Sequence, residues 1–291
     1  MGWETIYITQ KAKLSYKSNH LLVQTTDSIK RIPFHHIHCV IVGTTQAVIT
    51  GYLISKLVES NIKIIFCDQD HNPCSELNGY YSNVNRNQNI EDQISWTIDK
   101  KQKLWTYIIK NKIENQIDVA KKLGIDTTSL DQEYNKILDN DESNREAVIA
   151  KKYFPLLYGD GFTRTNETRV GMMLNYGYTI LLSNFNQEIV SQGYLTQLGI
   201  HHHSMKNFFN LSSDLMEPFR QAIDLTVYEK RDYQFDEYVK FELITTLDKI
   251  VSFEGKDYSL KTGISKYVHA SIDFLNGKRE QIGKVIIKDE G

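Results

Sequence analysis

The hydrophobic pattern of this 291-residue chain changes period near residue 82. Before that point, Thr5-Ile-Tyr-Ile-Thr9, Leu21-Leu-Val-Gln-Thr25 and Val40-Ile-Val42 are short β-branched or aromatic runs between polar turns. Such runs predict strands. Lys63-Ile-Ile-Phe-Cys67 reads as a further strand, while Val48 to Leu57 is ambiguous and compatible with a helix. The short, regular spacing suggests a small β-sandwich. Beyond residue 92, Ile94, Trp96, Ile98, Leu104, Ile108 and Ile109 begin a helical periodicity that continues to about Leu275. Only four prolines occur in the chain, so long helices meet few breakers. The expected fold class is α+β. An N-terminal β-sandwich over 1–82 and an Asn-rich linker over 83–94 precede an all-helical domain over 95–291. Leu123 to Asn144 reads as a turn-rich break, and Lys284 to Gly291 as a charged, poorly ordered tail.

Composition narrows the function classes. A net charge of -2 gives no overall attraction for nucleic acid, so a DNA-binding surface has to be a local patch. Two segments offer one: Lys100, Lys101, Lys103, Lys110 and Lys112, and then Arg145, Lys151 and Lys152. The simpler reading of both is a solvated helix face. Cys39, Cys67 and Cys74 are odd in number and match neither a metal clip nor a disulfide framework. Free, buried thiols in a reducing compartment are expected. Without a basic start leading into an apolar run, and without a membrane-length apolar segment, a cytoplasmic location away from membranes is expected. Phosphate-loop, dinucleotide and nucleophile-elbow motifs are missing.

The chemistry-bearing residues cluster late. In Gly199-Ile-His-His-His-Ser-Met-Lys-Asn-Phe-Phe-Asn-Leu-Ser-Ser-Asp-Leu-Met-Glu-Pro-Phe-Arg220, three histidines precede Asp214 and Glu217. Imidazole and carboxylate together suit a catalytic divalent cation. One histidine with two or three carboxylates fits Mg²⁺ or Mn²⁺ better than structural zinc. In an extended loop His202 opposes His201 and His203, so one ligand and two bystanders are expected. Asp214 and Glu217, at i and i+3, share one side of a helix whose apolar side carries Leu215, Met216, Phe219, Ala222 and Ile223. The acids are then outside the core, and Ser212, Ser213 and Asp214 are good helix-start caps. Upstream, Ser143 and Glu146 fit a capping box. Glu146 nonetheless projects with Ala150, Tyr153 and Leu157 on an apolar face, where a carboxylate needs a metal or an arginine as partner. His35, His36 and His38 read as polar strand or loop residues.

These segments resemble the CRISPR-associated spacer-acquisition integrase family, Cas protein one, and its type II-A branch in particular. The resemblance covers nearly the whole chain. It is carried by Arg145-Glu-Ala-Val-Ile-Ala-Lys-Lys-Tyr-Phe154, by Asn175-Tyr-Gly-Tyr178, and by Gly199-Ile-His-His followed by Asp214-Leu-Met-Glu-Pro-Phe-Arg220. It implies a β-sandwich that makes a homodimer and a helical catalytic domain with a divalent metal, Mg²⁺ or Mn²⁺, on Glu146, His202 and Glu217. Asp214 is implied as a second ligand or support. His201 and His203 remain rivals to His202. Many members carry Asp where Glu217 stands. The implied activity is a metal-dependent DNA endonuclease and integrase of CRISPR adaptation. It joins the 3′-hydroxyl ends of captured DNA to the repeat by transesterification. The implied partners are DNA, Cas protein two and other type II-A adaptation proteins. Lys152 and Arg220 are candidate DNA-backbone contacts. The alternatives are a metal-dependent DNase that never integrates and a non-catalytic DNA-binding scaffold.

Overall fold

Short apolar runs become strands in the first of two units, Met1–Val84 and Asn85–Gly291, of a computed structural model. The structure describes residues 4–77, 79, 83–163 and 168–288. In the first unit, β1 (Glu4–Ile8), β2 (Lys13–Lys17), β3 (His20–Gln24) and β4 (Ile29–Pro33) precede β5 (Ile37–Val42) and β6 (Val48–Ile49). Helix α1 (Gly51–Glu59), β7 (Lys63–Cys67) and β8 (Pro73–Glu76) complete it. The ambiguous Val48–Leu57 stretch is thus a short strand followed by a helix. Two four-stranded sheets form, ordered β1-β5-β7-β8 and β4-β3-β2-β6. All six residues of β5 are buried, as expected for a strand with parallel neighbours on both sides. That parallel pairing needs the α1 crossover, which a purely antiparallel sandwich lacks. Leu14, Leu21, Val40, Leu53, Leu57 and Ile64 draw both sheets and α1 into one core. Cys39 and Cys67 are buried thiols, whereas Cys74 is exposed.

The second unit begins inside the segment expected to be a linker. Helix α2 (Arg86–Ser95) occupies most of 83–94. Two of its amides are anchored to backbone. Asn89 Nδ2 donates to Gln192 O at 2.7 Å, and Gln93 Nε2 donates to Leu195 O at 2.8 Å. An Asn- and Gln-rich composition reads as loop, but here those side chains satisfy another loop's backbone.

Helices α3 (Ile98–Lys122), α4 (Thr128–Tyr134), α5 (Arg145–Tyr158) and α6 (Arg169–Ser191) follow. Then come α7 (Asn210–Leu215), α8 (Arg220–Lys230) and α9 (Glu237–Thr245). The break read over 123–144 therefore contains a short helix. The domain is also not all-helical: β9 (Ile250–Phe253), β10 (Lys256–Ser259) and, after α10 (Leu260–Leu275), β11 (Val285–Ile287) pair as β10-β9-β11. The expected disordered tail supplies β11. Its Val285 N–H donates to Asn111 Oδ1 at 2.8 Å, and Asn111 Nδ2 donates back to Val285 O at 2.8 Å. Residues 289–291 of that tail lie outside the described residues. Among the described residues, no helix is long and apolar enough to cross a membrane.

Candidate active site

The 25-residue helix α3 underlies the site. It is buried on most sides, and Leu104, Trp105, Ile108, Lys112, Asn115 and Val119 are all inside. Trp105 and Lys112 stand seven residues apart, two helical turns on one face. Trp105 meets the histidine loop, Lys112 meets two carboxylates, and Asn115 Nδ2 donates to Pro218 O at 2.8 Å.

Lys112 is not part of a solvated patch. Its side chain is 8% exposed, with Nζ 2.5 Å from Glu146 Oε1 and 2.5 Å from Glu217 Oε2. The two acids lie 71 positions apart in sequence yet converge on one nitrogen. Burial alone would lower the Lys112 ammonium. The Glu217 and Glu146 charges outweigh burial and hold it above the ordinary lysine range.

Glu146 lies in the first turn of α5. The expected capping box is absent: Asn144 occupies the cap position, and Ser143 Oγ donates to Lys136 O. Asp141 caps instead, its carboxylate accepting from the Arg145 N–H at 2.8 Å and the Glu146 N–H at 3.1 Å. The Glu146 side chain is thereby free of its own helix end. Tyr153 and Leu157 are buried, as its apolar face predicts. In this structure the Glu146 carboxylate is paired with Lys112.

Asp214 and Glu217 are both buried, contrary to the expectation that they stand outside the core. That expectation assumed one continuous helix. Instead α7 ends at Leu215, a 3₁₀ turn spans Glu217–Phe219, and α8 starts at Arg220. Pro218 has no N–H to continue the α-helix. Ser212, Ser213 and Asp214 fall inside α7 rather than at its start.

Both Asp214 oxygens are engaged by the histidine loop. Oδ2 accepts from the Ile200 N–H at 2.8 Å and the His201 N–H at 3.0 Å. Oδ1 accepts from the His202 N–H at 3.2 Å and from His202 Nδ1. Asp214 therefore anchors the histidine loop. Gly199 permits this geometry, since a Cβ there would sit 2.8 Å from Asp214 Oδ2 and would also meet His202 O.

The alternation expected for the triplet does not hold: His201 and His202 both contact Trp105, while His203 does not. His201 stacks on Trp105 with centroids 4.1 Å apart and planes 4° from parallel, and burial lowers its pKa. His203 is exposed. His202 has Nδ1 held by Asp214, and that bond raises its pKa against the effect of burial. An acceptor-only carboxylate fixes the tautomer with hydrogen on Nδ1. Nε2 is then the lone-pair nitrogen, with no hydrogen-bond partner among the described residues. The charges of Glu217 and Glu146 also act on this ring.

Arg220, expected on DNA, is turned inward. Its Nε donates to Glu217 Oε1 at 2.9 Å, and its guanidinium lies 4.7 Å from the Tyr178 ring centre. Burial pushes Glu217 up, but Arg220 and Lys112 outweigh it and hold its carboxyl at about 2. Lys152 is partly exposed and donates to Glu133 at 3.0 Å.

Sequence reasoning missed a second layer. Asp224 is fully buried and accepts from Tyr153 Oη at 3.1 Å and from Tyr178 Oη. Burial pushes its pKa up to about 6 against those hydrogen bonds and the nearby Arg220. Tyr178 thus links Asp224 to Arg220, and Arg220 to Glu217. Gly177 allows α6 to approach α8, because a Cβ there would meet Ile223.

Residues 6–155 and 160–239 match the profile of the family described as CRISPR associated protein Cas1. The chain belongs to the Cas1 family. It is 30% identical over 296 residues to the CRISPR-associated endonuclease Cas1 of Neisseria meningitidis serogroup C (strain 8013), covering 98% of this chain and 97% of the relative. A casposase bound to integration product superposes with a TM-score of 0.75 at 20% identity, covering 97% of this chain and 92% of that one. A Cas6-RT-Cas1--Cas2 complex superposes with a TM-score of 0.73 at 16% identity, covering 99% of this chain and 36% of the other.

The donor set suits a hard divalent cation. Two carboxylates converge, and Glu217 Oε2 lies buried 2.5 Å from Lys112 Nζ. A tautomer-fixed imidazole stands by, in the carboxylate–histidine arrangement common behind metal ligands. Among the described residues, no three His, Cys, Asp or Glu side chains are gathered tightly enough to hold a metal. Lys112 occupies the point where the two glutamates meet.

Proposed function

We propose that this Cas1 family chain is a Mg²⁺- or Mn²⁺-dependent DNA endonuclease and integrase of CRISPR adaptation. It joins the 3′-hydroxyl of captured DNA to the repeat by transesterification. The observation that carries this reading is the convergence of Glu146 and Glu217, whose charges act on the His202 ring that Asp214 fixes. The name of the Neisseria relative and the integration product held by the casposase support it.

Glu146, Glu217 and His202 Nε2 would hold the cation. When bound, it supplies Lewis-acid stabilisation of charge developing on the phosphate and on the leaving oxygen. The chain's own residues do the remaining work. Arg220 keeps Glu217 ionised and pointed inward, and Asp214 orients His202. Trp105 holds His201 aside. In the reaction the attacking 3′-oxygen forms a new bond to phosphorus while the bond to the repeat's 3′-oxygen breaks. The first oxygen releases its proton to solvent and the second takes one up. No covalent protein–DNA intermediate is required.

The assembly has DNA, a second copy of this chain through the N-terminal unit, and Cas2 as partners. The Cas1--Cas2 complex among the structural neighbours supports the last of these. A supercoiled plasmid carrying a repeat, incubated with short duplex DNA, Cas2 and Mn²⁺, tests the reading. Joined products support it. Nicking without joining would reduce it to a DNase, and binding without either would leave a scaffold.

A further inference from the structure

Lys112 poses a problem that the proposed chemistry does not solve. A lysine on a buried helix face normally extends its stem along apolar surface and sends the ammonium to water. Here the ammonium stays inside, 2.5 Å from each of two carboxylates on separate helical elements. Glu217 is also paired with Arg220, but Glu146 has no other side-chain partner among the described residues. Without Lys112, two like charges would face each other, one of them only 6% exposed.

The ammonium and a divalent cation are mutually exclusive at this point. A cation bonded to both glutamates would need oxygens at about 2.0–2.3 Å, which is the space Nζ now fills. A cation beside an undisplaced ammonium would also suffer strong repulsion in a site sheltered from water. Lysine can vacate such a position, because its charge sits on a flexible four-carbon stem.

We infer that Lys112 is the built-in counter-cation of the metal-free site: it holds Glu146 and Glu217 together before the metal arrives and must leave their meeting point for the metal to bind. This rests on the metal-dependent reading above and adds to it a competitor within the chain. Lys112 is a positioning residue, acting through the two glutamates.

The test is Mn²⁺ titration of the full chain, followed by the electron paramagnetic resonance signal of free Mn²⁺, with thermal melts in chelator and in saturating Mn²⁺. Wild type is compared with Lys112→Met. The variant is expected to bind Mn²⁺ at least tenfold more tightly, to melt lower in chelator, and to gain more from Mn²⁺ than wild type does. Lys112→Gln, whose neutral amide still donates to the carboxylates, provides the same comparison if the methionine variant does not fold. Equal or weaker Mn²⁺ binding by the variants, with wild type binding normally, overturns the inference and leaves Lys112 an ordinary structural ion pair. Wild type that binds no Mn²⁺ overturns the metal-dependent function itself, a separate and recognisable failure.

Discussion

The fully buried carboxylate of Asp214 accepts a hydrogen bond from Nδ1 of His202, whose side chain is 45% exposed. One end of the imidazole is thereby fixed to the core. The same carboxylate gathers three successive backbone N–H groups, from Ile200 to His202. The loop and the ring therefore share one anchor.

Replacing that anchor should affect geometry and stability together. Asp214→Asn turns one acceptor into a donor facing N–H groups. Stability should fall by roughly 2–4 kcal/mol from donors left unpaired. Urea unfolding gives that quantity, and strand-joining assays should show activity lost with it. Unchanged stability would mean that the loop holds itself.

Gly199→Ala should act through the same anchor without adding or removing a charge. The added methyl meets Asp214 Oδ2 and the His202 carbonyl, so the loop has to shift. A loss of about 1–3 kcal/mol is expected, the usual range for overpacking. Joining activity should fall further than stability alone explains. A variant with wild-type activity and melting temperature would contradict the close approach.

Glu146→Gln and Glu217→Gln preserve shape and remove charge. Each should lower strand joining by about a hundredfold or more, the scale of losing one electrostatic contact to the transition state. Circular dichroism should show the fold retained. Glu146→Gln should be the milder for stability, because Glu146 is 29% exposed and Glu217 only 6%.

Asp224 gives a pH signature of the second layer. Its carboxyl is raised from 3.8 to about 6. Its contribution to stability is therefore fully present below about 3.8 and is lost as pH rises through about 6. Glu217, held at about 2, works in the opposite sense: its contribution is present above 4.5 and is lost as pH falls toward 2. Asp224→Asn removes only the first effect. Relative to wild type, this variant should gain about 2 kcal/mol between pH 4 and pH 7. Urea unfolding of both proteins across that range measures it, and a pH-independent difference would rule it out.

Much of the architecture was legible because period two and period 3.6 leave different marks on apolar residues. Helix α2 was not, since its Asn and Gln side chains resemble a loop until their backbone partners are known. Nor were β9 to β11, three- and four-residue strands set around a helix. Val285-Ile-Ile287, an apolar run in a charged tail, was the available signal. In the site, His202 was singled out by resemblance rather than by alternation, and Glu146 was flagged by its apolar helix face. The burial of Asp214 and Glu217 was hidden because projection around a helix fails where Pro218 breaks it. Lys112 was grouped with surface lysines. It lies four residues after Ile108 and eight after Leu104, inside the apolar stripe of α3. A lysine in such a stripe marks a buried counter-charge.

The central claim is that Glu146, Glu217 and His202 form one metal centre. Diffraction from crystals of the full chain soaked in Mn²⁺, recorded at the manganese edge, tests it most directly. The predicted result is an anomalous peak bonded to carboxylate oxygens of Glu146 and Glu217 and to His202 Nε2, with Lys112 Nζ withdrawn from between the glutamates. A peak bonded elsewhere, or Lys112 still bridging both carboxylates at saturating Mn²⁺, would contradict it.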